Sequence, residues 1–114
     1  MVFASVRVIT DDIRRLVRLY ETVTGLAATW STEDFAELVT PSCTLAIASK
    51  STMDMFGIGA ARPADNHTVI IQFRVDDVDD KYEQLENVIS DFVQRPTTQP
   101  WGNRSLLFRD PTRI

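Results

Sequence analysis

Ser5-Val6-Arg7-Val8-Ile9-Thr10-Asp11-Asp12-Ile13 decides the fold of this chain, because Ile70-Ile71-Gln72-Phe73-Arg74-Val75-Asp76-Asp77-Val78 repeats it in outline. Each stretch is a β-prone run, an Asp pair and the start of an apolar helical period. An internal repeat of this size reads as two copies of one supersecondary unit sharing a core.

Around the first copy, a strand over 3–9 puts Val6 and Val8 on one face and Phe3, Ser5, Arg7 and Ile9 on the other. Thr10, Asp11 and Asp12 offer N-caps, and Ile13, Leu16, Val17 and Tyr20 recur at helical spacing in a segment that Gly25 ends. Three short β-prone runs follow, at 26–30, 35–40 and 44–48, divided by Ser31-Thr32-Glu33-Asp34 and by Pro41-Ser42. The first module is therefore βαβββ over 1–49. No period holds across 50–66, where Gly57, Gly59, Pro63 and Asn66 mark a connection. Its Met53, Met55, Phe56 and Ile58 suit packing over a cavity mouth or a partner surface, with a plain linker as the alternative. The second module, 67–114, repeats the pattern with a strand over 69–75 and a helix from Asp77 bearing Val78, Tyr82, Leu85 and Ile89 on one face. Phe92 and Val93 predict a strand ending before Pro96, and 105–108 predict another. No fourth strand follows Asp110-Pro111, so this copy is a shortened βαββ: a final strand is lost or the sequence is incomplete.

The 114 residues, 44% hydrophobic and 25% charged, suit one globular domain and exclude disorder. A net charge of -4 and a pI near 4.8 give no basic footprint for nucleic acid or an anionic membrane. One cysteine, Cys43, cannot form an intramolecular disulfide and suits a reducing cytoplasm. The opening residues do not read as a charged-then-apolar leader, so none is expected, and no apolar run reaches the length that spans a bilayer. Asn66-His67-Thr68 and Asn103-Arg104-Ser105 match the glycosylation pattern by chance in that setting.

Asp12-Ile13, Leu19-Tyr20, Gly25-Leu26, the turn Val75-Asp76-Asp77-Val78, and Pro100-Trp101-Gly102-Asn103-Arg104 running into Phe108-Arg109-Asp110-Pro111 together resemble the vicinal oxygen chelate superfamily. That group includes glyoxalase I, extradiol dioxygenases, fosfomycin-resistance proteins and bleomycin-resistance binding proteins. The resemblance covers essentially the whole chain. It implies an α+β fold of paired βαβββ modules whose curled mixed sheets surround a cavity, commonly in a homodimer. The absent last strand would leave an exposed edge, so a two-fold homodimer is expected, with or without exchange of modules.

In metal-dependent members of that superfamily, the first strand of each module supplies a His, Gln or Glu and the last strand a carboxylate or similar ligand. Here the first-strand positions hold Ser5 and Ile70, and 44–49 offer no carboxylate or imidazole. A neutral hydroxyl binds divalent ions poorly and an alkyl group not at all, so no metal and no cofactor are expected. His67 reads as a polar residue at a strand start, since its odd offset from Ile70 turns it to the other face. The pairs Asp11-Asp12, Asp76-Asp77 and Asp79-Asp80 sit where helices begin and read as caps and dipole partners. Cys43 lacks a charged neighbour in sequence that would activate it.

Strand alternation then directs Phe3, Ser5, Arg7 and Ile9, and Thr68, Ile70, Gln72 and Arg74, toward one cavity. Arg7 and Arg74 there require an anion or acceptors, unless each pairs with a strand neighbour such as Glu37. Trp30, Phe35 and Trp101 add aromatic surface, Trp101 reading first as a loop anchor or dimer contact. The expected ligand-binding set is Phe3, Ser5, Arg7, Trp30, Ile70, Gln72, Arg74 and Trp101, with no catalytic residue. The resemblance and the missing metal ligands together imply a metal-free protein that sequesters a small organic ligand, acidic and aromatic. The alternatives are a metal-dependent lyase, isomerase or dioxygenase of the same superfamily, and a structural subunit with a filled cavity.

Overall fold

The computed structural model describes residues 1–55, 57 and 59–112. The elements run β1 (Ser5–Thr10), α1 (Ile13–Thr24), β2 (Thr29–Thr32), β3 (Phe35–Val39), β4 (Thr44–Ser49), a 3-10 helix (Lys50–Met55), α2 (Val78–Leu85), β5 (Phe92–Thr98) and β6 (Arg104–Phe108).

Helix α1 forms where caps and apolar period agree. The Asp12 carboxylate accepts the Arg15 N–H at 3.2 Å. Gly25, at φ 71°, ends the helix in the left-handed region that glycine adopts without strain. Between the caps, Ile13, Leu16, Val17, Leu19, Tyr20 and Val23 are buried. They cover a mixed four-stranded sheet of order β1-β4-β3-β2, in which β1 and β4 are parallel and the other pairs antiparallel. Register puts Val8 beside Ile47 and Ile47 beside Ala36, so these residues and Leu38 and Leu45 face the helix. We expect Asp12→Ala to cost about 1 kcal/mol by urea denaturation, the usual loss of an N-cap acceptor.

Strand β2 starts at Thr29 rather than over 26–30. The Ala28 N–H instead donates to the Glu21 carboxylate on α1 at 2.8 Å, which ties the segment after Gly25 to the helix and away from the sheet.

In the second half Asp77 caps α2 by accepting the Asp80 N–H at 3.1 Å. Tyr82, Phe92 and Phe108 follow one another in edge-on ring contacts, with centroids 5.2 and 6.2 Å apart, and fix α2 on the β5–β6 hairpin. Strand β5 passes through Pro96 instead of stopping before it. The register breaks between Gln94 and Thr97, so the proline sits in a bulge where no ladder donor is needed.

The strand expected over 69–75 does not form. Exposure alternates there as in an extended segment, with Ile71 and Phe73 turned to the core, but its backbone makes no backbone hydrogen bond among the described residues. The first module supplies the reason. Among the described residues, strand β1 is held in the sheet by β4, the last strand of its module. No strand after β6 occupies the corresponding place among the described residues.

A buried latch joins the two halves. The Tyr20 hydroxyl on α1 donates to Asp110 Oδ2. Asp110 Oδ1 accepts the Thr112 N–H at 2.7 Å and the Thr112 hydroxyl. All three residues are buried. Among the described residues, no helix is long and apolar enough to cross a membrane.

Candidate functional site

The strand registers build a trough on the sheet face away from α1. Across it lie Ser5, Arg7 and Ile9 on β1, Thr44, Ala46 and Ala48 on β4, and Phe35, Glu37 and Val39 on β3. The central strand carries small side chains there, while its neighbours carry long ones, so β4 is the floor and β1 and β3 are the walls. Ala46 and Ala48 are nearly inaccessible because the wall side chains lean over them. The Arg7 guanidinium crosses the floor and lies 5.0 Å from the Phe35 ring centroid, a cation–π contact that fixes its position. Glu37 stands in the same row beyond Ala46, two strand spacings from Arg7, or about 10 Å between backbones.

One end of the trough is closed by Met53 of the 3-10 helix, which is buried against Ile9 and Ala48 with Phe35 alongside. Of the apolar residues in that connection Met53 packs here; Phe56, Ile58 and the Met55 side chain lie outside what is described. Two depressions meet at Arg7 and Ile9. The larger, about 420 Å³ and open to solvent, is bounded by Met53, Ala60 and Ala61. The smaller, about 120 Å³, reaches Asn66 and Thr112. Its loop wall is held by the Arg62–Asp65 ion pair at 2.7 Å and by Asn66, whose side-chain oxygen accepts the Thr68 N–H at 2.8 Å and its hydroxyl at 3.0 Å.

Of the residues expected to bind ligand, Ser5 and Arg7 stand on the trough face. Phe3 lies ahead of β1 and is largely exposed. Trp30 belongs to the opposite face: it pairs with Ala36, whose side chain meets the α1 core, so its ring borders the helix side. Ile70, Gln72 and Arg74 are exposed, and none of them lines either depression at Arg7. The expected convergence of Arg7 and Arg74 on one pocket is therefore not found. Trp101 projects from the tip of the β5–β6 hairpin with 76% of its surface exposed. The reading of the sequence missed Met53, Ala60, Ala61 and Thr112 as wall residues. Only the apolar content of the connection pointed toward one of them.

The metal-ligand positions offer the trough no donor set. Ser5 sits opposite Thr44, and the position equivalent to Ser5 is Ile70. Among the described residues no three His, Cys, Asp or Glu side chains come together. His67 is exposed on the loop side. The acidic run of α2 is engaged elsewhere, as Asp77 caps the helix and Asp79 is gripped at two points by Arg104, both at 2.9 Å. That contact holds the Asp79 carboxyl below the ordinary carboxylate range. By donor chemistry a divalent ion does not fit these positions.

The family model of the Glyoxalase/Bleomycin resistance protein/Dioxygenase superfamily matches residues 2–114. No curated protein matches the chain. Among solved structures, a glyoxalase/bleomycin resistance protein/dioxygenase from Nocardioides is 24% identical, with a TM-score of 0.78 over 98% of this chain and 78% of its own. A protein of unknown function from Agrobacterium tumefaciens is 22% identical, with a TM-score of 0.81 over 98% of this chain and 87% of its own. A glyoxalase/bleomycin resistance protein/dioxygenase family enzyme from Burkholderia phytofirmans is 18% identical, with a TM-score of 0.78 over 99% and 93%. At these identities the likeness is one of fold.

Proposed function

We infer that this chain, which belongs to the Glyoxalase/Bleomycin resistance protein/Dioxygenase superfamily, is a metal-independent binding protein that holds a small organic molecule in the trough beside Arg7. The observation that carries this reading is a guanidinium fixed over Phe35 at the meeting point of two depressions whose other walls are Ile9, Met53 and small residues. Apolar walls with one placed cation suit a ligand with an apolar or aromatic body and an acidic or strongly accepting group. Glu37, across the floor, favours a ligand that also carries a donor. The protein acts as a homodimer in a reducing compartment, the latter suited to its free, half-buried Cys43.

Arg7→Met, with 2-naphthoate as probe, tests the site. By titration calorimetry we expect affinity to fall about tenfold or more, the worth of a hydrogen bond to a charged group, with the fold retained. Arg74→Met should leave the probe's affinity unchanged, because Arg74 lines neither depression. Equal loss in both variants, or no binding by the native protein to any aromatic acid tried, rejects the reading. Zinc, nickel or manganese should leave the melting temperature unmoved. A specific site would stabilise by ~2.7 kcal/mol at a hundredfold excess over its dissociation constant, and a shift with one metal alone would overturn metal independence.

A further inference from the structure

We propose that the trough selects a zwitterion, an α-amino acid with an apolar or aromatic side chain, by holding its carboxylate at Arg7 and its ammonium group at Glu37. The proposal rests on the binding reading above and names the class of molecule bound.

Glu37 is the only carboxylate that β1, β3 and β4 turn to the trough face. Its neighbours along β3, Ala36 and Leu38, are buried against α1, which fixes its side chain on the opposite side of the sheet. There Glu37 is half-buried. It makes no hydrogen bond and no ion pair among the described residues. A carboxylate drawn partly out of water without a donor has lost hydration that nothing returns, so an arriving donor gains more there than at a free surface.

Arg7 does not supply that donor. Its guanidinium has crossed the floor to the Phe35 ring, 5.0 Å from the centroid. Phe35 and Glu37 are alternate residues of β3 on one face, roughly 7 Å apart along the strand. A cation and an anion therefore stand beside each other on one wall without forming an ion pair together, at a spacing that the two ends of an amino-acid head group can bridge.

The pair also sorts ligands by charge. A plain anion drawn to Arg7 meets repulsion from Glu37, and a plain cation drawn to Glu37 meets it from Arg7. A molecule with both charges on neighbouring atoms avoids both costs. The remainder of such a molecule has a defined place. Arg7 borders both depressions, and Ile9, Met53, Ala60 and Ala61 bound the larger, so a side chain leaving the head group at Arg7 enters an apolar space of about 420 Å³. Apolar walls around a few placed polar groups are the usual make-up of a small-molecule site.

Titration calorimetry at neutral pH compares 3-(2-naphthyl)alanine with 3-(2-naphthyl)propanoate, which differ only in the amine. The native protein should hold the amino acid about tenfold more tightly or better, the worth of one charge-assisted hydrogen bond. Glu37→Met should erase that preference and leave the amine-free acid bound as before or more tightly, since a repulsion has gone. Glu37→Gln, which keeps the shape and an acceptor but not the charge, should retain only part of it. Equal binding of the two compounds by the native protein, or an undiminished preference in either variant, overturns the proposal. The two readings fail differently. If 2-naphthoate and 3-(2-naphthyl)propanoate bind in an Arg7-dependent way and the amine adds nothing, the zwitterion inference falls alone. If none of the three compounds binds, the trough reading falls and this inference with it.

Discussion

Asp110→Ala will lower the unfolding free energy by about 3 kcal/mol, because it strips the acceptor from three buried donors at once. Tyr20 is 3% exposed, and its hydroxyl loses Asp110 Oδ2. The Thr112 N–H and hydroxyl lose Oδ1, which closes the turn after Asp110. Urea denaturation at neutral pH measures the loss, and a value under about 1 kcal/mol would show that the latch is not a joint between the halves. The same latch has an alkaline signature. Burial first, then the charge and hydrogen bond of Asp110, raise the Tyr20 hydroxyl well above its ordinary value of 10.0. The unfolded chain therefore releases this proton near pH 10 while the folded chain keeps it. The stabilisation is complete below pH 10 and drains away as pH rises above it. Tyr20→Phe removes that slope and costs about 1–2 kcal/mol at pH 7. Parallel alkaline limbs in the native protein and Tyr20→Phe would sink this account.

That latch also explains why Leu19-Tyr20 and Asp110-Pro111 were informative in the sequence without their contact being legible. Their types and order could be read, but a hydrogen bond between residues 20 and 110 is a product of packing. Local signals carried most of the first module. Helix α1 was legible because Asp12, the apolar spacing and Gly25 agree, and β1, β3 and β4 because each is a short β-prone run between turn residues. What failed had competing causes. The strand expected over 26–30 moved because the Glu21 carboxylate takes the Ala28 N–H. The strand expected over 69–75 has the right composition, yet a ladder is made by two chains of backbone, and composition says nothing about the second. Pro96 reads as a stop until the bulge that exempts it is known.

Alternation along one strand fixed which side chains share a face, so Ser5, Arg7 and Ile9 were grouped correctly. Faces on different strands are related only through register. Trp30 was grouped with Arg7 for want of it, and pairing with Ala36 puts it on the other side of the sheet. The floor of the trough was invisible for a related reason, since Ala46 and Ala48 matter by being small between larger neighbours. Met53, Ala60, Ala61 and Thr112 reach the site from parts of the chain with no period at all.

The largest single loss is expected at Ile47. It is wholly buried on the central strand, between Val8 on one side and Ala36 on the other, and it bears on α1. Ile47→Ala removes its methyl groups from a site walled by a sheet and a helix that cannot both close in, so the cost should approach 4 kcal/mol. Ile71, which packs on the same core from the unpaired segment, is only half-buried, and Ile71→Ala should cost about 1 kcal/mol. The contrast follows from the ladders: a residue on β4 is fixed by strands on both sides, whereas the backbone of 69–75 bonds no other backbone among the described residues. Hydrogen exchange should show the same order, with amides of α1 and β4 opening only in global unfolding and those of α2, β5 and β6 opening at lower free energy. Ile47→Ala should lower protection in α1 and β4 by its full cost. If it destabilises the hairpin as much as the sheet and no element opens early, the two halves unfold as one unit.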